Sequence, residues 1–265
     1  MRFHVAIIGL LLSAHVTAAE CNPSSMVDNC TVDPDGIRMH IYAMVLCKEQ
    51  PSVPTTTRAL GSSSCEFIYN EIDSGGKIIE LTGASGDFRQ LTQNLIRPPN
   101  GTYTHGVIGL STVFQIKKSM SFGSTMTGFG AGHNQTTGTE CWTTDEVRLD
   151  SDGLRKVTTQ CAAVAGVSDW ATKETYATGG IYSGCTGETQ YWTDENLKLA
   201  STAADASVYL AISELPSPIS ITDSTTFIEL DYVWANWLSI ETDERSSSNS
   251  FNPYLNCGSS SISTN

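Results

Sequence analysis

Apolar side chains recur at every second position over several stretches of this chain, the period of a β-strand with one buried face. From Gly36 to Cys47 the odd positions Ile37, Met39, Ile41, Ala43 and Val45 form one apolar face, with Cys47 on the same side. Cys65 to Tyr69 and Lys77 to Leu81 read as two shorter strands, the second opened by the turn Asp73-Ser74-Gly75-Gly76. The longest pattern runs from Gly101 to Phe122, behind the turn Pro98-Pro99-Asn100-Gly101. Its even positions Ile108, Leu110, Thr112, Phe114 and Ile116 line one face. Later, Val208 to Ile212 and Ile219 to Ile221 read as short strands around Pro216 and Pro218. Ile228, Leu230, Tyr232, Trp234, Leu238 and Ile240 then predict one long amphipathic strand.

Helical patterns are few. Thr193 is placed to cap a short helix from Asp194 to about Ala204, whose first turn is acidic. Residues 159 to 172 are alanine-rich but interrupted by Gly166 and Ser168-Asp169, and carry neither period clearly. Residues 119 to 139, rich in Gly, Ser and Thr, read as a loop or irregular hairpin. Many short strands separated by Gly and Pro turns predict an all-β, antiparallel sandwich, immunoglobulin-like or transthyretin-like. A partly irregular insertion is expected at about 123–205.

The amino terminus has the pattern of an export signal. Arg2 supplies positive charge, Val5 to Leu12 form a short apolar core, and Thr17, Ala18 and Ala19 are small, as signal peptidase requires. Cleavage is expected after Ala19, leaving 20–265 as one secreted domain. The apolar run is too short to span a hydrocarbon layer of about 30 Å. Glu20 before Cys21 removes the small residue that lipoprotein processing needs. The expected location is the extracellular space, the cell surface or the periplasm.

The eight cysteines, Cys21, Cys30, Cys47, Cys65, Cys141, Cys161, Cys185 and Cys257, all follow that signal. An even number in an exported chain, without CxxC spacing, predicts disulfides rather than a metal site. Nearest-neighbour closure predicts Cys21–Cys30, Cys47–Cys65 and Cys141–Cys161, with Cys185–Cys257 clamping the carboxy-terminal part. Beyond the signal, 14 basic residues face 28 acidic ones, a net charge of −14. Phosphate backbones and anionic membranes would be repelled, so neither nucleic acid nor a lipid surface is an expected partner, and no membrane span is expected after cleavage.

Two passages carry a family likeness: the strand ending Leu46-Cys47 followed by Cys65-Glu66-Phe67-Ile68-Tyr69-Asn70, and Leu95-Ile96-Arg97-Pro98-Pro99-Asn100-Gly101-Thr102-Tyr103-Thr104-His105 leading into a long strand. In this order they resemble small exported β-sandwich proteins of environmental, largely marine, bacteria, and transthyretin-like or prealbumin-like surface domains. The likeness covers residues 36 to about 122 and, loosely, the last long strand. It implies a sandwich fold and carries over no catalytic residue.

Candidate chemistry is sparse. His40, His105 and His133 are the histidines beyond the signal, and Ser85 and Ser111 lack the G-x-S-x-G elbow of a serine hydrolase. No catalytic residue and no cofactor is assigned. Asp33-Pro34-Asp35-Gly36 and Asp150-Ser151-Asp152-Gly153 are partial calcium loops, the second the better because Asp145 and Glu146 are near. Asp-x-Asp-Gly is equally an ordinary tight turn. Tyr191 with Trp192, and Trp237, are candidate contacts for a glycan or a protein, since an exposed indole offers a stacking platform. Trp234 falls on an apolar strand face and reads as core. Asn29-Cys30-Thr31, Asn100-Gly101-Thr102 and Asn134-Gln135-Thr136 fit the N-glycosylation pattern.

The expected function is non-enzymatic: an extracellular or cell-surface structural protein, such as a filament or surface-layer subunit that associates with itself or with other surface proteins. Lack of convergent polar chemistry, disulfide stapling and long strands able to pair edge to edge motivate it. The strand at 37–47 is a candidate donor for such pairing. A carbohydrate-binding or adhesive module is the alternative, and a small secreted hydrolase the third reading.

Overall fold

The computed structural model describes residues 30–61, 63–82, 95–122, 139–149, 151–162, 164, 166–185, 188–225, 228–233, 238–241, 252–255 and 259–264. Among them the regular structure is strand, with short 3-10 turns at Thr178–Gly180 and Ala203–Asp205. The strands are β1 (Cys30–Val32), β2 (Gly36–Cys47), β3 (Cys65–Asn70), β4 (Lys77–Thr82), β5 (Gly101–Lys117), β6 (Ser119–Phe122), β7 (Thr139–Leu149) and β8 (Arg155–Ala162). There follow β9 (Ala171–Glu174), β10 (Ile181–Cys185), β11 (Glu188–Thr193), β12 (Val208–Ile221), β13 (Ile228–Val233), β14 (Leu238–Glu241), β15 (Asn252–Leu255) and β16 (Ser259–Thr264).

The long strands β2 and β5 form the spine of the main sheet, in the order β10-β11-β12-β5-β2-β3. Each is long enough to take two partners along its other edge. One end of β2 pairs with β4 and the other with β3, while β5 pairs with β12 along one stretch and β9 along the next. All of these pairings are antiparallel, as the alternating patterns predict. The strands β9, β10 and β11, from the middle of the chain, are members of this same sheet.

The single apolar face expected along β2 is corrected by the ladder. The β2–β5 register shifts between Met39 and Ile41 and again between Ile41 and Ala43. A bulge adds a residue and reverses which side chains face which way. Ile37, Met39 and Ile41 therefore share a cluster with Met44 and Leu46, together with Tyr103, Leu110, Phe114 and Ile116. Ala43, Val45 and Cys47 instead join Val107, Tyr191, Val208, Leu210 and Ile212 in a second cluster. One sheet thus carries two cores. Val157 of β8 joins the first, which brings the β6-β7-β8 sheet against that face in a sandwich-like arrangement.

Four further expectations change. The pattern read as one strand from Gly101 to Phe122 is two, β5 in the main sheet and β6 paired with β7 in another. The segments flanking Pro216 and Pro218 are one strand, β12, because its register shift between Glu214 and Ile219 accommodates prolines that cannot donate to a ladder. The long strand expected from Ile228 to Ile240 is two: β13 pairs with β16, whereas β14 lies between β1 and β15. The helix expected at 194–204 does not form. Thr193 ends β11, its hydroxyl donating to the Val208 carbonyl, and the Asp194 carboxylate accepts from the backbone N–H groups of Asn196 and Lys198. Local side-chain bonding of this kind competes with a helix and makes a turn.

Cys47 and Cys65 stand opposite each other in the β2–β3 ladder and are joined by a disulfide. Cys141 is also disulfide-bonded, and Cys161 lies directly across the β7–β8 ladder from it. The expected pairings through Cys21 and Cys257, and the export signal, lie outside the described residues. No helix among the described residues is long and apolar enough to cross a membrane.

Candidate functional site

The second core does not fill its face of the main sheet. Ala43 of β2 and Gly109 of β5 are direct partners, and Leu210 of β12 is the partner of Gly109 on its other side. Two small residues side by side leave a hollow among larger neighbours. A pocket of about 210 Å³ lies there, lined by Ala43, Val45, Val107, Gly109 and Leu210 from the sheet, with Cys65 and Phe67 of β3, and Leu60, Gly61 and Leu197 from two loops. Phe67 is 37% exposed and Gly61 is exposed, so the pocket meets solvent on that side. Every lining side chain is apolar, and Cys65 is tied up in its disulfide.

The two loops, residues 48–64 and 194–207, are fastened to each other above this face. The Leu60 N–H donates to the Leu197 carbonyl at 2.9 Å, the Leu199 N–H donates to the Thr55 carbonyl at 3.0 Å, and Ala59 bridges Lys198. Leu60, Leu197 and Leu199 pack on the second core. Leu197 holds a left-handed backbone, φ 59°, a conformation uncommon for a branched apolar residue. Its N–H bonds the Asp194 carbonyl, so the turn built by Asp194 imposes that conformation and presents Leu197 to the pocket.

The candidate ligand contacts Tyr191 and Trp192 do not offer an exposed platform. Tyr191 is 6% exposed and belongs to the second core; Trp192, on the other side of β11, is 4% exposed. The Trp192 ring meets Tyr209 edge-on at 5.2 Å between centroids and Tyr176 at 6.3 Å. Adjacent positions of a strand inside a two-faced sheet are both buried, which is why a polar-flanked pair in the sequence became core. Trp237 and Trp234 lie outside the described residues. Trp170 is half-buried under the Arg38 guanidinium, 4.3 Å from its ring centroid, and Arg38 also pairs with Glu80 at 2.7 Å.

The calcium candidates are not assembled into a site: no group of three or more ligating side chains occurs among the described residues. Asp150 lies outside them, and Asp152 is exposed in a turn where Gly153 has φ 79°, as a tight turn requires. Asp35 has a structural task, since its carboxylate accepts from the Ser119 N–H at 2.6 Å and pairs with the Lys118 ammonium at 3.0 Å. It pins the crossing from β5 to β6. His40 and His105 are both taken up locally, His40 Nδ1 by the Gly75 carbonyl at 3.1 Å and His105 Nδ1 by the Thr104 hydroxyl at 2.9 Å. His133 lies outside the described residues. Of the glycosylation patterns, Asn100 sits exposed, its amide donating to Asp223 and accepting from Arg97.

Burial governs the shifted acids. Burial and, secondarily, Glu71 push the Tyr69 hydroxyl up to about 12, and it has no hydrogen-bond partner among the described residues. Burial raises Tyr191 too, partly offset by a hydrogen bond from Thr189. Burial also holds the Glu188 carboxyl above the usual range, against the opposing hydrogen bond that the Gln190 amide donates at 2.7 Å. None of these groups lines the pocket.

Leu60, Gly61 and Leu197 lie in segments without a period, so sequence reasoning had no hold on them. Ala43 and Gly109 carry a signal of sorts, as small residues in strands otherwise filled by Val, Ile and Leu. Comparison finds no protein-family model, no curated protein and no solved structure that matches this chain.

Proposed function

We propose that this is an exported, non-enzymatic protein whose task is binding, and that the loop-covered face of the main sheet is where it binds. One observation carries the reading: a formed pocket lined by apolar side chains and a disulfide, with no nucleophile, acid–base pair or metal ligand among the described residues of its wall. A group entering it is held, not transformed. Disulfide bonding supports an oxidising compartment. Amino-terminal sequencing of protein recovered from culture medium is expected to begin at Glu20; a first residue of Met1 would remove the export part.

The binding part is tested by hydrogen exchange on residues 55–61 and 194–199 with 1-octanol, p-xylene and cellohexaose as probes. Saturable slowing of exchange in both segments by any one of them is expected. Protection confined to other regions, or none, sinks it.

A second reading, a subunit of an extracellular assembly, rests on β10. Among the described residues β10 is the outer strand of the main sheet, with Ile181 44% and Tyr182 48% exposed and no charge from Ile181 to Cys185. A neutral edge avoids self-repulsion in a chain of net charge −13. The long strands leave less to this reading than expected: β2 is paired along both edges and has none to donate. Sedimentation across a hundredfold concentration range decides it. Association abolished by Tyr182→Lys supports the assembly, and a monomer throughout ends it.

A further inference from the structure

We infer that the pocket over Ala43 and Gly109 takes an uncharged hydrocarbon group of about eight carbon atoms, the end of an aliphatic chain or a substituted ring borne by a small molecule. The inference rests on the binding reading above and narrows it to one ligand chemistry.

Size comes first. An apolar cavity of about 150 Å³ accommodates a benzene molecule. At about 210 Å³ this pocket has room for roughly eight carbons on that scale. Chemistry comes second. Leu, Val, Ala, Gly and Phe supply dispersion contacts and no side-chain donor or acceptor besides the disulfide, so a sugar hydroxyl or a carboxylate entering here would find little beyond backbone atoms to replace its hydration. A chain of net charge −13 adds repulsion against anions.

Construction is the third point. The hollow is not a packing defect in a loop: its floor is set by a ladder pair, and its roof by two loops hydrogen-bonded to each other. Leu197, held at φ 59°, is aimed at the same space. Backbone strain of this kind gathers where a side chain is positioned for a ligand. The half-exposed Phe67 ring at the open side gives the entering group an apolar rim.

The experiment is a titration of the full exported domain, labelled on Leu and Val methyl groups, with 1-octanol and, separately, with cellohexaose. The variants are Ala43→Val, which shrinks the floor, and Gly109→Ala, a milder filling that leaves the fold intact if Ala43→Val does not. Expected are saturable shifts of the Val45, Val107, Leu197 and Leu210 methyls with 1-octanol. Affinity should fall at least tenfold in Ala43→Val and measurably in Gly109→Ala. Octanol shifts that persist unchanged in both variants, or no saturable shift, overturn the inference. If the same methyls move with cellohexaose and not with 1-octanol, the hydrocarbon assignment fails while the binding face stands. If neither probe moves them, and loop exchange is unprotected, both fail together.

Discussion

Gly109 stands directly across the ladder from Ala43, and a Cβ built at Gly109 would lie 3.6 Å from the Ala43 Cβ and 3.4 Å from Leu210 Cδ2. Those are ordinary contact distances. A strand glycine is therefore kept where alanine fits, at a cost in chain entropy. Gly109→Ala is expected to raise stability by about 0.4–1 kcal/mol, mainly by restricting the unfolded chain. Gly180→Ala should do the reverse, losing more than ~1 kcal/mol. Gly180 has φ 70° and its Cβ would meet the Ala200 carbonyl oxygen at 2.9 Å. Urea midpoints of the two variants, measured side by side, check the opposed signs.

The Cys47–Cys65 bridge joins residues at a sequence separation of 18 and ties β3 to the central strand beside the pocket. Loop-closure entropy for that length is worth about 3 kcal/mol. The double variant Cys47→Ala with Cys65→Ala, which leaves no odd thiol, should unfold ~6–12 °C lower. A calorimetric midpoint within ~2 °C of the parent would show that the bridge contributes little beyond the ladder.

Trp192 is core by position. Replacing it with alanine removes an indole packed against Tyr176 and Tyr209, and is expected to cost about 3–5 kcal/mol. Trp192→Phe keeps most of the contact, and it also removes a buried indole N–H that has no hydrogen-bond partner among the described residues. Its loss should be much smaller. Equal losses for the two, from denaturant curves, would contradict the packing described here.

Glu188 couples stability to pH in a definite direction. Burial raises its folded-state pKa above the unfolded one, so the folded chain holds that proton more tightly. The associated stability is fully present below the ordinary carboxylate pKa and is lost as pH rises through the raised value. Glu188→Gln cannot ionise, and its amide oxygen still accepts from Gln190. Above the raised value the variant is expected to be the more stable of the two, the gap closing as pH falls. A gap of the opposite sign, in unfolding curves taken from pH 4 to pH 8, would refute the burial argument.

Strand periodicity predicts β2, β3 and β4 almost to their ends and the start of β5, but it runs β5 on through Phe122, where the chain leaves the main sheet at Lys117 and pairs as β6 with β7. The disulfide Cys47–Cys65 followed from nearest-neighbour spacing, since β2 and β3 are successive partners and a short connection returns Cys65 to the rung of Cys47. Bulges were invisible. Nothing local says that the parity of β2 reverses beyond Ile41, because the shift is set by the partner strand β5. The same blindness made Tyr191 and Trp192 look like surface, when β11 lies inside a sheet packed on both sides.

Residue order alone therefore determined the all-β class, the antiparallel turns and the disulfide that staples β3 to β2, each a property of near neighbours or of simple alternation. The tertiary structure decided the rest. It alone brought Ala43 to Gly109 from 66 positions away, reversed the faces between them, and laid Leu60 and Leu197 together as a roof. A cavity is a statement about what several distant segments fail to fill, and no single segment carries it.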